Sequence, residues 1–529
     1  MIEVRNIRLS PDDDKTEILD KACRKLRIDK KNVKKWFILK ESLDARNKGN
    51  IFFIYTACFD MLNENKILKN IKNKDVLKFE EENTERYGNI KCETRPVVVG
   101  FGPAGIFAAM TLAEMGFKPI VLERGADVDQ RVKDVEKFWN EGILSTESNV
   151  QFGEGGAGTF SDGKLTSRGK DKRAGRVFKA FVENGAPPEI LYAHNPHIGT
   201  DLLRNVVKNM REKIIACGGE VRFFSKATDI AVENGKVMYV EVNNSERIYC
   251  RDLILAIGHS ARDTFEMLYR NNAVLSQKPF AMGVRIEHSQ NSIDKAQFGN
   301  FAGTGNLGPA EYKLTSRSSD GRGVYTFCMC PGGYVVAAAS EEGMVCVNGM
   351  SNYNRGGENA NSAVLVQIGP EDFGSGHPLA GMYLQREIEK KAFIAGGGRY
   401  NAPAQRLGEF LGNKYEENDS FVRHTYRPGI TMCNLNDVLP KFMCSALKEG
   451  IAGMAKKLKG FDDVGALVTA VESRSSSPVR IERENETFES LWAKGLYPVG
   501  EGAGYAGGIV SSAIDGIKAA EKIYCKYKI

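Results

Sequence analysis

No run of eighteen apolar residues occurs in this 529-residue sequence, so no transmembrane helix is expected. The opening MIEVRNIRLSPDDDK lacks the apolar core of a secretory signal. The 11 cysteines are odd in number and follow no framework spacing. That argues against a disulfide-stapled secreted fold and for a reducing cytoplasm. Excess charge is also scarce. The net charge is +6, and basic residues alternate with acids without forming a stripe threaded by aromatics. Nucleic acid is therefore not expected as a partner. No ligand set at zinc spacing is found, so no metal is expected. The rest is ordinary for a globular chain, 42% hydrophobic and 26% charged, and the length calls for two or three domains.

The stretch from Pro96 to Arg124 organises what is present. Val97, Val98 and Val99 are consecutive, β-branched and apolar, as in a strand buried on both faces. Gly100, Gly102 and Gly105 follow at the spacing of the dinucleotide fingerprint. The first permits a tight turn, the second admits a pyrophosphate, and the third lets the helix pack on the strand. A helix from Ile106 to Met115 ends at Gly116, and Ile120 to Leu122 is the next strand. Glu123 ends that strand about twenty residues past the glycines, where an acid accepts hydrogen bonds from an adenosine ribose.

Residues 1–92 read as a small separate α/β domain with its linker. A strand Ile2–Leu9, a helix Thr16–Leu26 and strands Val33–Lys40 and Ile51–Asp60 give a β-α-β-β order, expected as a ferredoxin-like sandwich. Nothing in it looks catalytic; a docking or packing module is the simplest reading. Asn63–Lys91, rich in lysine, asparagine and glutamate, reads as a solvated linker with a helical turn or two.

After the dinucleotide unit comes a helical segment, Asp127–Gly142, and then SNVQFGEGGAGTFSDGKLTSR. Its clustered glycines leave backbone N–H groups free to face an anion or the polar edge of a flat ring. Thr200 or Asp201 is expected to cap a helix running to Ala216. Glu220–Phe224, a hairpin of Val237–Val242 and Ile248–Cys250, and the apolar strand Leu253–Ile257 follow. The last ends in Gly258-His259-Ser260, which returns the chain to the cofactor side of the sheet. Residues 276–430 are glycine-rich and strand-prone, with no second dinucleotide fingerprint, and read as a substrate domain. The chain closes with LYPVGEGAGYAGGIVSSAIDGIKAAEKI, a strand, a glycine run and a helix whose start suits negative charge.

Three motifs in order, VVVGFGPAG with Glu123, then LILAIGHS, then YPVGEGAGYAGGI, resemble the two-dinucleotide-fold flavoproteins of the glutathione-reductase superfamily, in the branch without a nicotinamide domain. QFGEGGAGTFSDGKL and CMCPGG resemble a narrower group, the uncharacterised bacterial FAD-dependent dehydrogenases, related more distantly to geranylgeranyl reductases and the fumarate reductase flavoprotein. The resemblance implies an α/β fold: a Rossmann-like FAD domain in two parts (93–275 and 431–529), an inserted mixed-sheet substrate domain (276–430) and the ferredoxin-like α+β domain. It implies non-covalent FAD. Gly100, Gly102, Pro103, Ala104 and Gly105 would hold the pyrophosphate, Glu123 the ribose, and Arg124 and the Ala227 backbone the adenine side. Gly156, Gly158, Thr159, Ser161 and Lys164 would pass near the isoalloxazine, and Gly258 would follow the third strand. Gly500 and Glu501 would meet the ribityl or pyrophosphate region, although most relatives carry Asp where Glu501 stands. Gly508 and Ile509 would open the helix that faces the flavin O2 edge.

The candidate chemistry sits on a few side chains. Cys328 and Cys330, two apart on a strand, point to one side, where a lowered pKa makes one of them reactive. As buried strand cysteines they would instead serve as small hydrophobes. No CxxC stands beside a flavin-binding segment, which argues against a disulfide reductase of the usual sort. Lys164 and Arg285 are placed to neutralise reduced flavin or bind an acidic substrate, and His259 to approach the cofactor. His194 and His197 are expected to cap or pack. The expectation is an FAD-dependent oxidoreductase of the dehydrogenase or reductase kind. It would pass a hydride to or from a small molecule, with NAD(P)H as no more than a transient donor and the oligomeric state open. An FAD-stabilised factor that binds a protein or RNA without turnover, and a flavin monooxygenase, are the alternatives.

Overall fold

The computed structural model describes every residue except 72, 81–87, 89, 91–93, 167, 168, 170, 414–420 and 529. The chain divides into two compact units.

The smaller unit comprises Met1–Arg86, Pro187–Pro196 and Gln290–Glu311. Its elements are β1 (Ile2–Leu9), α1 (Glu17–Leu26), β2 (Val33–Asp44), β3 (Phe52–Met61), α2 (Glu64–Asn70) and β4 (Val76–Lys78). The sheet order is β2-β3-β1-β4 with every neighbour antiparallel, the split β-α-β pattern. The amphipathic α1 buries Ile18, Ala22 and Leu26 against Ile2, Val4, Tyr55 and Phe59. In Asn63–Lys91 the sequence reading expects a linker with a helical turn or two; the two-turn helix α2 stands there, and a short strand that was not expected, β4, follows it. Val76, opposite Val4, is the one buried residue of β4, too faint an apolar signal to stand out among lysines and asparagines.

The larger unit is built on a five-stranded parallel sheet. β5 (Val97–Val99) lies at its centre, with β6 (Ile120–Leu122) and β7 (Glu220–Arg222) to one side. Leu253–Leu255 and Leu496–Pro498 lie to the other. The chain thus leaves β5 in one direction and later returns on its opposite flank. Between β5 and Leu253–Leu255 the order reverses, which opens a crevice beyond the carboxyl ends of the strands. β5 and β6 are buried along their whole length, as consecutive Val, Ile and Leu require.

A seven-stranded mixed sheet forms the other wall. Its order is Thr315–Arg317, Gly323–Cys330, Asn359–Ile368, Phe280–Ser289, Leu467–Glu472, Ala402–Arg406 and Ile430–Met432. The sheet therefore runs past residue 430 and takes in Leu467–Glu472 between two earlier strands. Ala227–Glu233, Lys236–Val242 and Glu246–Tyr249 make a separate antiparallel sheet. No helix among the described residues is long and apolar enough to cross a membrane.

Candidate active site

α3 (Pro103–Glu114) starts directly behind the first glycines, with proline in its first turn, where the missing N–H costs nothing. The glycines are demanded by contact. A Cβ on Gly105 would lie 1.9 Å from the Gly100 carbonyl oxygen, and one on Gly100, at φ +96°, would lie 2.3 Å from that of Ala256. α3 also packs on the closing helix, Ile509–Tyr527. There a Cβ on Gly516 would lie 2.1 Å from the Ala104 carbonyl oxygen. Two helix N-termini are thereby brought to one crevice.

Glu123 fixes the shape of that crevice. One carboxylate oxygen accepts from the Phe101 N–H at 2.8 Å; the other accepts from Gly125 and Gly153, each at 2.9 Å. The glycine-rich loop is further held by Arg131, whose side chain is fully buried. Its guanidinium donates to the carbonyls of Asn149 (2.8 Å), Glu154 (2.6 Å) and Val150 (2.9 Å). A Cβ on Gly156, at φ +62°, would stand 2.9 Å from the Gly102 Cα, so this loop lies directly on the first turn. It is a built wall, and glycine is the residue that fits its closest point.

The cradle and the loop line one cavity of about 1220 Å³. His259, buried, places Nδ1 3.3 Å from the Glu501 carboxylate, while its buried Nε2 has no hydrogen-bond partner among the described residues. On the opposite wall stand Cys328, Met329 and Glu472. Arg285, fully buried, joins that wall together. It pairs with Glu472 at 3.1 Å and donates to the Asn361 side chain at 2.8 Å and the Cys328 carbonyl at 2.5 Å. Burial pushes the Glu472 carboxyl up to about 7, even against the attraction of Arg285. Lys164 lies 4.0 Å from Asp162, which is itself paired with Arg355 at 2.8 Å. Arg355 holds the Asp162 carboxyl below its usual range despite burial.

A protein of Clostridium beijerinckii (strain ATCC 51743 / NCIMB 8052), itself uncharacterised, is 49% identical over 531 residues, which span 100% of this chain and 99% of that protein. Residues 279–475 match the family described as FAD-dependent protein, C-terminal domain-like. The chain belongs to one family with this Clostridium protein, and its residues 279–475 are a region like the C-terminal domain of FAD-dependent proteins. Residues 1–59 match a domain of unknown function, DUF8436. Among solved structures, the chain is similar to a geranylgeranyl bacteriochlorophyll reductase-like protein from Thermoplasma acidophilum (15% identity, TM-score 0.35, covering 82% of this chain and 78% of that one). It is also similar to the flavin-dependent brominase Bmp2 (11% identity, TM-score 0.37, covering 82% and 79%).

The residues present fit FAD, the cofactor of this family. The contact-enforced glycines, the two converging helix starts and the unpartnered Nε2 of His259 are what an anionic dinucleotide with a polar ring edge requires. The cavity wall of this flavoprotein gathers residues far apart in sequence. It takes in Gly100, Gly102, Pro103, Ala104, Glu123, Arg124, Gly156, Gly158, Ser161, Lys164, Ala227, Gly258, His259, Cys328, Gly500, Glu501, Gly508 and Ile509. Gly105, Thr159 and Cys330 are not on it. Gly105 is buried against Gly100. Thr159 is buried and donates its hydroxyl to the Glu154 carbonyl at 3.1 Å. Cys330 is fully buried. Arg124 reaches the wall already paired, with Glu147 at 2.7 Å and Asp263 at 2.9 Å, its guanidinium 4.0 Å from the centre of the Phe152 ring.

The expected capping of Thr200–Ala216 also differs. The residue before this helix is Gly199, and neither candidate side chain caps it. Thr200 donates to the Thr159 carbonyl at 2.7 Å, and Asp201 accepts from the Tyr353 N–H at 2.8 Å. His197 packs on Tyr353, its Nε2 3.0 Å from that residue's carbonyl oxygen. Glu472 is the residue that the sequence reading passed over. It stands in VTAVESR, an ordinary strand ending, and only the pairing of Leu467–Glu472 with Phe280–Ser289 brings it to Arg285.

Proposed function

We propose that this flavoprotein is an oxidoreductase acting on a small molecule held between the glycine cradle and the wall formed by the seven-stranded sheet. One observation carries the reading: a single cavity runs from Gly100 and Glu123 to Cys328 and Glu472. A binding factor without turnover has no use for ionisable side chains at the far end of its cofactor cleft.

FAD, when bound, supplies two-electron hydride chemistry. Gly100, Gly102, Pro103 and Ala104 would hold its pyrophosphate, Glu123 and Ala227 its adenosine end, and Gly500 with Glu501 its middle. The start of Ile509–Tyr527 would present positive potential to its ring edge. Lys164 would hold negative charge on a ligand. His259, braced by Glu501, would hold a proton at Nε2. Glu472, poised near neutrality, would give or take one on the opposite wall.

Anaerobic titration with NADH and NADPH, followed by visible absorption, tests this reading. Flavin bands that bleach with either nucleotide, or with a candidate substrate, support it. Flavin that resists every donor, in protein that still captures a macromolecule, would overturn it.

A further inference from the structure

Cys328 and Cys330 depart from the plain strand geometry expected of them. The ladder between Gly323–Cys330 and Asn359–Ile368 loses register between Phe327 and Cys330, and Cys328 has a left-handed backbone, φ +42°. Two strand residues separated by one stand nearly 7 Å apart, at the limit of disulfide reach. A bulge with one left-handed residue shortens that span. The Cys330 thiol donates to the Cys328 carbonyl at 3.3 Å, and Arg285 touches both residues, at that carbonyl and at the Cys330 sulfur (3.4 Å). Only Cys328 lies on the cavity wall.

The surroundings divide the two thiols. The neighbouring Cys330, followed by the charges of Arg285 and Lys164, holds Cys328 below the ordinary thiol range against burial and Asp162. Burial and its neighbour push Cys330 well up, with Arg285 opposing and Asp162 adding to the rise. Glu472 faces Cys328 from Leu467–Glu472, and Tyr312 adjoins Cys330.

We propose that Cys328 and Cys330 are a redox pair that exchanges with a small-molecule disulfide entering the cavity, Cys328 attacking and Cys330 resolving. The Cys328 thiolate bonds to one sulfur of R–S–S–R′, the ligand's S–S bond breaks, and R′S⁻ leaves with a proton from the Glu472 carboxyl. Cys330 then returns its proton to Glu472 and attacks the Cys328 sulfur. RS⁻ leaves, carrying the charge with which Cys328 began. Two protein thiols are oxidised to a disulfide, and the ligand disulfide is reduced to two thiols. The exchange consumes the chain's own thiols, so it stands or falls independently of the hydride reading.

The test uses the full chain as purified, with its flavin. It is reduced, freed of reductant under nitrogen, treated with hydroxyethyl disulfide, quenched in acid and mapped by peptide mass. The expected product is the peptide carrying both cysteines as an internal disulfide with no added mass. Cys330→Ser should trap the hydroxyethylthio adduct on Cys328. The rate in wild type should level off below the pKa of a free thiol, about 8.5. A stable adduct on Cys328 in the wild type would overturn the proposal. So would no reaction at either residue while the exposed Cys217 and Cys525 are modified. The wild-type map decides the matter even if the variant folds poorly.

Discussion

Glu123, at the end of one strand, accepts a 2.9 Å hydrogen bond from the backbone of Gly153, thirty residues on, and so ties the cradle to the loop that covers it. The same carboxylate satisfies Phe101 and Gly125. Glu123→Ala strips three buried N–H groups of their acceptor, each worth about 1–3 kcal/mol when left unmade. Part of that is recovered by water, so a loss of roughly 2–4 kcal/mol is expected. Urea unfolding and the flavin content of the purified variant check it; a protein of unchanged stability with full flavin would contradict the role.

Gly105→Ala should be severe for a small change. The added Cβ meets a backbone carbonyl at 1.9 Å, which no side-chain rotation relieves. Overpacking of this kind costs about 1–3 kcal/mol. The variant should melt lower and lose flavin on gel filtration. Gly175→Ala is the control: nothing lies within 4 Å of its Cβ position, and it should behave as wild type.

Arg131→Lys tests the loop. One ammonium does not span the three carbonyls that the guanidinium reaches. The lysine variant should keep its fold but bind flavin at least tenfold more weakly, as measured by fluorescence titration of apoprotein. Unchanged affinity would show that the loop holds its shape without this clasp.

Glu472 makes stability depend on pH. Burial raises its pKa from 4.5 to about 7, so the folded state binds the proton more tightly than the unfolded state. Its contribution is therefore fullest below about pH 4.5 and is lost as pH rises through about 7. The difference in unfolding free energy between wild type and Glu472→Gln should shift against the wild type by about 3 kcal/mol across that window, at 1.4 kcal/mol per pKa unit. Urea titrations at the two ends measure it; parallel profiles would contradict the raised pKa.

Local features were legible in the sequence, and long-range ones were not. Val97–Val99, the three glycines and Glu123 announce themselves within thirty residues, because a βαβ turn is specified by neighbours. The helix of Asp127–Gly142 also stands where expected, as Val128–Glu141 with Asp127 accepting from the Asp129 and Gln130 N–H groups. β4 was hidden because a three-residue strand with one buried residue leaves almost no periodic signal. The Arg285–Glu472 pair was hidden for a different reason. Its partners lie on strands joined only by sheet pairing, and nothing local to VTAVESR marks one glutamate as buried.

The measurement that bears most directly on the account is the visible absorption spectrum of the purified full-length chain, before and after denaturation. Flavin bands in the native protein, with FAD released into the filtrate once the chain unfolds, are the expected result and would place non-covalent FAD in the cavity between Gly100 and Glu501. Colourless protein that takes up no FAD even when incubated with an excess would contradict the reading of the cradle from Gly100 to Glu123, and with it the proposed function.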